Sequence, residues 1–206
     1  MIITEVIEIS SNKLKIQTDE EITLVLYKGD FYKNHFDVGK EIPQKYYEEL
    51  ITSILPHRAW LRCMKLFQSK DYTEKEIRDK LQKDGYSKEI RDHVIERLYE
   101  TRFLNDEYYA GCYIENRVNK KSKREIIREL SLKGIPDALS ERLFEEYEAQ
   151  GNTEFERNCI ENILRKKKYN GETASFEEKM KMKNYLLRKG FQTDYVNDCI
   201  LNNYLT

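Results

Sequence analysis

Proline and glycine are scarce, with three prolines and eight glycines among 206 residues. A chain so poor in breakers has little irregular loop, and 35% charged residues with a mean hydropathy of −0.80 fit solvent-facing helices. Long apolar runs are missing too. No hydrophobic stretch of about eighteen residues occurs, no basic start leads into an apolar segment, and nothing resembles a cleavage site. The expectation is a cytoplasmic protein with no membrane contact. Cysteine is sparse and scattered: Cys63, Cys112, Cys159 and Cys199 form no paired spacing that could clasp zinc, and they read as small core residues. His35, His57 and His93 fall in three different elements, and no Ser, His and Asp or Cys and His set is suggested, so neither catalysis nor a metal site is expected. Gly29 and Gly39 are isolated, and without a glycine-rich phosphate loop no cofactor is expected of the chain itself.

What is present is a repeated phrase. Thr73 and Glu76 have the spacing of a capping box, Ile77 and Leu81 share one helical face, and Gly85 stands just past the end. Ser122, Glu125, Ile126, Leu130 and Gly134 repeat the pattern forty-nine residues downstream. A third copy keeps Met182, Leu186 and Gly190, but its capping pair, Ser175 and Glu178, starts about one turn earlier, as a lengthened helix would allow. A second amphipathic run follows each glycine: Ile90, Val94 and Leu98, then Leu139, Leu143 and Tyr147, then Tyr195, Cys199 and Asn203. A period near fifty residues with three helices per unit predicts a mainly α fold, a tandem array of three-helix repeats. A hydrophobic fraction of 39% favours thin modules and an elongated molecule.

The first fifty residues have another period. Leu14 and Ile16, then Ile22, Leu24 and Leu26, alternate with polar residues, and turns at Ser11-Asn12, Thr18 to Glu21 and Lys28-Gly29-Asp30 separate the runs, with a fourth run around Phe31 to Phe36. This predicts a small N-terminal antiparallel β extension. Pro43 then suits a helix start, Tyr46, Tyr47, Leu50, Ile51 and Ile54 form a stripe, and Pro56 is expected to end it. From Arg58 the first repeat would begin, with Trp60, Leu61, Met64 and Phe67 in its core. The expected domains are a β extension at 1–42, a connecting helix at 43–56, and repeats at 57–106, 107–156 and 157–206.

Between the first two repeats stand Phe103, Leu104, Asn105, Asp106, Tyr109 and Ala110, followed by Arg117, a basic run to Arg124, then Glu129, Leu130, Lys133, Gly134 and Ile135. In combination, and with Arg58, Tyr72, Glu76, Leu81, Gly85 and Tyr86 before it, this sequence resembles the RecX family, regulators of the RecA recombinase. The match is best over about 55–150. The family usually has a glycine in the basic stretch, where this chain has Lys120-Lys121-Ser122. The resemblance implies tandem three-helix units and a non-catalytic protein that binds the RecA nucleoprotein filament on single-stranded DNA and limits its activity.

Charge marks the candidate contacts. Arg117, Lys120, Lys121, Lys123 and Arg124 place five cations in eight residues, and Arg165, Lys166, Lys167 and Lys168 stand in a row. Cations at a helix end also favour the helix dipole, but two such segments at equivalent places would line one side of an array and follow a phosphate backbone or an acidic groove. Arg58 and Arg62 would be the first-repeat counterparts if their helix lies the same way. Tyr108 and Tyr113 read as packing or interface residues. Three readings stay open: a monomer docked on a RecA filament with weak or indirect DNA contact, a helical protein that binds DNA directly, and a scaffold for another partner. A net charge of −1 argues against strong autonomous DNA binding.

Overall fold

The computed structural model describes residues 1–201. It divides into two compact units, Met1–Leu104 and a second beginning at Asn105.

In the first unit, strands β1 (Ile3–Ser10), β2 (Lys13–Thr18) and β3 (Thr23–Tyr27) form an antiparallel sheet in that order. The register pairs Leu14 with Leu26 and Ile16 with Leu24, so the alternation read from sequence places all four on one buried face. The fourth run is not a strand. Residues Lys28–Lys33 form helix α1, in which the expected turn residues Gly29 and Asp30 supply the first turn. The helix drops Phe31 into the core against Phe36, with ring centroids 6.0 Å apart.

The connecting segment departs from expectation at Pro56, which does not end a helix. Helix α2 (Gln44–Glu49) runs through a π turn (Leu50–Ile54) directly into α3 (Leu55–Phe67). Proline has no N–H to donate and its ring crowds the carbonyl four residues back. The wider turn, closed by the Leu55 N–H on the Leu50 carbonyl, relieves that crowding, so the first repeat continues the connecting helix without a break. Leu55, Ala59, Cys63 and Leu66 form the buried line of α3; Trp60, Met64 and Phe67 flank it, and Leu61 faces solvent. Helices α4 (Glu74–Lys83) and α5 (Lys88–Glu100) complete the repeat, with Ile77, Leu81, Ile90, Val94 and Leu98 buried.

The second unit contains α6 (Asp106–Arg117), α7 (Lys123–Leu132), α8 (Asp137–Ala149), α9 (Phe155–Lys166), α10 (Phe176–Arg188) and α11 (Thr193–Leu201). The repeated phrase is realised in all three copies. Gly85, Gly134 and Gly190 have φ of +89°, +89° and +86°, the left-handed region that ends a helix cheaply only at glycine. Thr73 with Glu76 and Ser175 with Glu178 form complete capping boxes, and α10 has 13 residues against 10 in α4 and α7, the predicted lengthening. Ser122 makes the forward half, accepting the Glu125 N–H at 3.2 Å, while the Glu125 carboxylate pairs with Lys121 instead.

The last helix of the first repeat buries the stripe read from sequence, but those of the second and third repeats turn differently. In α8 the buried residues are Ser140 and Phe144, with Leu139, Leu143 and Tyr147 half-buried; in α11 Val196 and Ile200 join Cys199 in the core, with Tyr195 half-buried. The buried face is thus rotated by about one residue from the stripe read in the sequence. Asn203 lies outside the described residues. Cys63, Cys159 and Cys199 are buried and Cys112 half-buried; burial pushes the Cys63 thiol up to about 12, as suits a core residue. No helix among the described residues is long and apolar enough to cross a membrane.

Candidate partner and nucleic-acid interface

The cations singled out by sequence fall into two groups, those spent inside the fold and those left facing solvent. Arg58 and Arg62 belong to the first. Both lie on α3, where Arg58 meets Asp30 at 2.5 Å and covers the Tyr27 ring at 4.3 Å. Arg62 holds Asp84 at 2.8 Å, and the same carboxylate takes Lys13 at 3.4 Å. These residues fasten the sheet to the first repeat. Burial works to raise the Asp84 carboxyl, but the hydrogen bond from Arg62 and the Lys13 charge outweigh it and leave it below its ordinary value.

The basic run of the second repeat divides in the same way. Helix α6 begins at Asn105, whose side chain accepts the Tyr108 N–H at 2.9 Å, and ends at Arg117, which stands 5.2 Å over Tyr113. The chain then reverses, and Lys121 folds back between Glu125, at 3.3 Å, and Glu129. Glu129 also accepts the Tyr113 hydroxyl at 2.8 Å. The Glu129 bond holds the Lys121 ammonium above its usual range. Lys123 reaches Glu141 and Glu148, each at 3.4 Å, and lies 5.2 Å over Phe144. Lys120 and Arg124 point outward.

In the third repeat Arg165 donates to the Asn162 side chain at 2.8 Å, and Lys167 covers the Tyr185 ring at 4.4 Å. Lys168 takes a left-handed backbone, φ +53°, as the chain leaves α9. Arg165, Lys166, Lys167 and Lys168 are all exposed. The two basic segments do sit at equivalent ends of α6 and α9, but only part of each is available to a partner.

A second gathering of charge was not legible in the sequence. Arg124 and Arg128 on α7 face Arg188 and Lys189, where α10 ends, across a concavity of about 510 Å³ that Glu125, Leu187 and Gly190 complete. The arginine pair has the i, i+4 spacing of one helix face, and Arg188-Lys189 directly precede a stop glycine; neither sign draws the eye beside a run of four cations. Its walls are tied from beneath. Ser122, the cap of α7, donates its hydroxyl to the Lys189 carbonyl at 2.7 Å. Glu156, only 2% exposed, accepts the Lys123 N–H at 2.8 Å on Oε1, while its buried Oε2 has no hydrogen-bond partner. Burial raises the Glu156 carboxyl above its ordinary value, against the pull of its backbone partner Lys123.

Models of three RecX domains match this chain in order: the first three-helix domain over residues 59–98, the second over 105–142 and the third over 158–200. Among curated relatives, the regulatory protein RecX of Caldanaerobacter subterraneus subsp. tengcongensis is 28% identical over 202 residues, covering 97% of this chain and 98% of that protein. That of Clostridium acetobutylicum is 28% identical over 195 residues, covering 92% and 89%. A crystal structure of regulatory protein RecX aligns with a TM-score of 0.63 at 18% identity, over 98% of both chains. The crystal structure of RecX from Lactobacillus salivarius aligns with a TM-score of 0.63 at 24% identity, over 75% of this chain and 99% of that one. These two establish likeness of fold.

Proposed function

The chain belongs to the RecX family, and on that premise we propose that it is a regulator that binds the RecA filament on single-stranded DNA and restrains the recombinase, with no catalysis of its own. The observation that carries this reading is the ordered match of all three family domains, each to its own three-helix repeat. The protein acts as a cytoplasmic monomer, and it meets the filament through the half-buried Arg117 and the outward cations Lys120, Arg124, Arg165, Lys166 and Lys168. Lys121 and Lys123 serve the interface indirectly, because their ion pairs with Glu125, Glu129, Glu141 and Glu148 shape the turn that presents Lys120 and Arg124. Arg58 and Arg62 are engaged within the first unit, where they hold the sheet to its repeat.

The test is RecA-driven strand exchange, and RecA ATP hydrolysis on single-stranded DNA, with purified protein titrated in. Both rates should fall at protein concentrations well below that of RecA. Rates that stay level up to an equimolar ratio would refute the proposal. Replacing Lys120 and Lys166 with Glu should weaken inhibition while leaving melting unchanged, since exposed sites tolerate substitution.

A further inference from the structure

Helix α6 has Gly111 at its centre, where glycine weakens a helix relative to alanine. Packing gives no reason for it. The backbone there is ordinary α-helix, and a Cβ would meet nothing within 4 Å, unlike those at Gly85 and Gly190. The open space is a cleft of about 130 Å³ between α6 and α8, lined by apolar Ile114, Leu143 and Tyr147 and by the exposed Glu115 and Glu146. Small-molecule sites usually start at about 300 Å³, so this cleft has room for a single side chain.

The kind of side chain is indicated one turn earlier on the same two helices. Glu107, Gly111 and Glu115 follow one another at i, i+4 spacing along α6, as Arg142, Glu146 and Gln150 do along α8. At the first level the Arg142 guanidinium bridges the helices, 2.9 Å from Glu107 and 2.6 Å from Glu146. At the Gly111 level the cleft again has one glutamate from each helix, but its lining includes no cation. Two carboxylates beside a short apolar wall suit an alkyl stem that ends in a guanidinium: the methylenes cover the wall while the head stays at the wet rim. The planar fork addresses both carboxylates, which an ammonium does less well. Any side chain at position 111 would project into the entry, and glycine leaves it clear.

We propose that the cleft at Gly111 is a socket for an exposed arginine of a protein partner, with the guanidinium between Glu115 and Glu146 and the stem on Ile114, Leu143 and Tyr147. The inference goes beyond the filament reading and does not depend on it, since there the chain supplies cations and here it supplies acids.

The probes are N-acetylarginine amide, its uncharged isostere N-acetylcitrulline amide and N-acetylleucine amide, each titrated into the full chain. The readouts are the NMR signals of the Ile114 methyls and the Tyr147 ring. The arginine probe should shift both and saturate with a Kd on the order of a millimolar, as suits one side chain. Citrulline and leucine should bind at least about fivefold more weakly. Gly111→Leu should fill the cleft without changing any charge, abolishing the shifts while raising the folding equilibrium constant about fivefold through better helix propensity. Glu115→Gln should weaken the arginine probe about fivefold, and it stands in if Gly111→Leu fails to fold. An arginine probe that leaves Ile114 and Tyr147 unmoved overturns the proposal. So does a leucine probe that binds as tightly, which would make the cleft an apolar hole. A folded Gly111→Leu protein that still binds the probe, or one less stable than wild type, would overturn it too, the latter by showing that the fold itself needs the glycine.

Discussion

Both units attach a further element to a three-helix repeat at the glycine that stops its middle helix, and they do so with opposite chemistry. In the first unit Gly85 receives the sheet: a Cβ there would fall inside the Val25 side chain, 2.9 Å from its Cβ, while Asp84 beside it takes Lys13 and Arg62. In the second, Gly190 receives the start of α7 at Ser122 and Arg124, while Lys189 beside it offers only its carbonyl. The carboxylate of that junction is Glu156, which comes from α9 and serves the Lys123 backbone N–H rather than a cation. A glycine in the left-handed region exposes its backbone on a bare surface, so a helix stop is also a docking place. The residue before it, and the nearest carboxylate, decide whether the dock is ionic or a matter of caps.

The largest effect should come from filling these places. Gly85→Val adds about 1–2 kcal/mol of backbone strain and a comparable overpacking cost against Val25, about 3 kcal/mol in all. Gly190→Val meets the more yielding Ser122 and Arg124 side chains and should cost about 2 kcal/mol. The only tryptophan, Trp60, lies in the first unit, half-buried against Phe103. Denaturant titration followed by its fluorescence should therefore register Gly85→Val, whereas circular dichroism should register both. A Gly85→Val protein that unfolds at the wild-type midpoint would break the comparison.

Asp84→Asn comes next. It leaves Lys13 and Arg62 facing each other, but both are partly solvated, which brings the cost of breaking such a pair down to about 1–2 kcal/mol. Because the folded Asp84 carboxyl lies below its ordinary value of 3.8, its contribution is present above that pH and is lost as pH falls through the folded value. Trp60 fluorescence should show the wild-type first unit weakening in acid more steeply than the Asp84→Asn variant. Parallel curves would remove Asp84 as the ionic lock.

Much of this was legible beforehand, because it rests on local rules. Caps, stop glycines and the long middle helix of the third repeat need only neighbours in sequence, and each appeared where Thr73, Ser122, Ser175, Gly85, Gly134 and Gly190 placed it. Helix α1 has no signature in the sequence because six residues are too few to show a helical period, and Gly29-Asp30 obeys turn rules equally well. Pro56 does not act as the expected stop because a π turn removes the conflict that makes proline a breaker. The charge was half legible. Runs of cations show in sequence, but whether Lys123 reaches Glu148, or Arg128 comes to face Arg188, depends on which helices pack together.

The smallest effect sharpens the comparison most, since it concerns sign. The Glu156 carboxyl is raised above its ordinary 4.5, mainly by burial, so the folded protein holds this proton to a higher pH than the unfolded chain does. Unfolding at pH values between the two therefore releases a proton, and the stability owed to this residue falls as pH rises through that window and is regained as pH falls. That is the reverse of Asp84. Glu156→Gln keeps an oxygen to accept the Lys123 N–H and removes the charge, so it should be neutral or stabilising by less than about 1 kcal/mol near pH 7, and should flatten the slope. Hydrogen exchange, expressed as protection factors for the amides of α7 and α11 from pH 7 down to about 4.5, reads the second unit apart from the first. Wild-type protection in these helices should rise toward acid while that of Glu156→Gln stays level. Wild-type protection that falls toward acid, in step with the Asp84 junction, would mean that Glu156 is held as a charged partner of Lys123, and that the two docks share one chemistry after all.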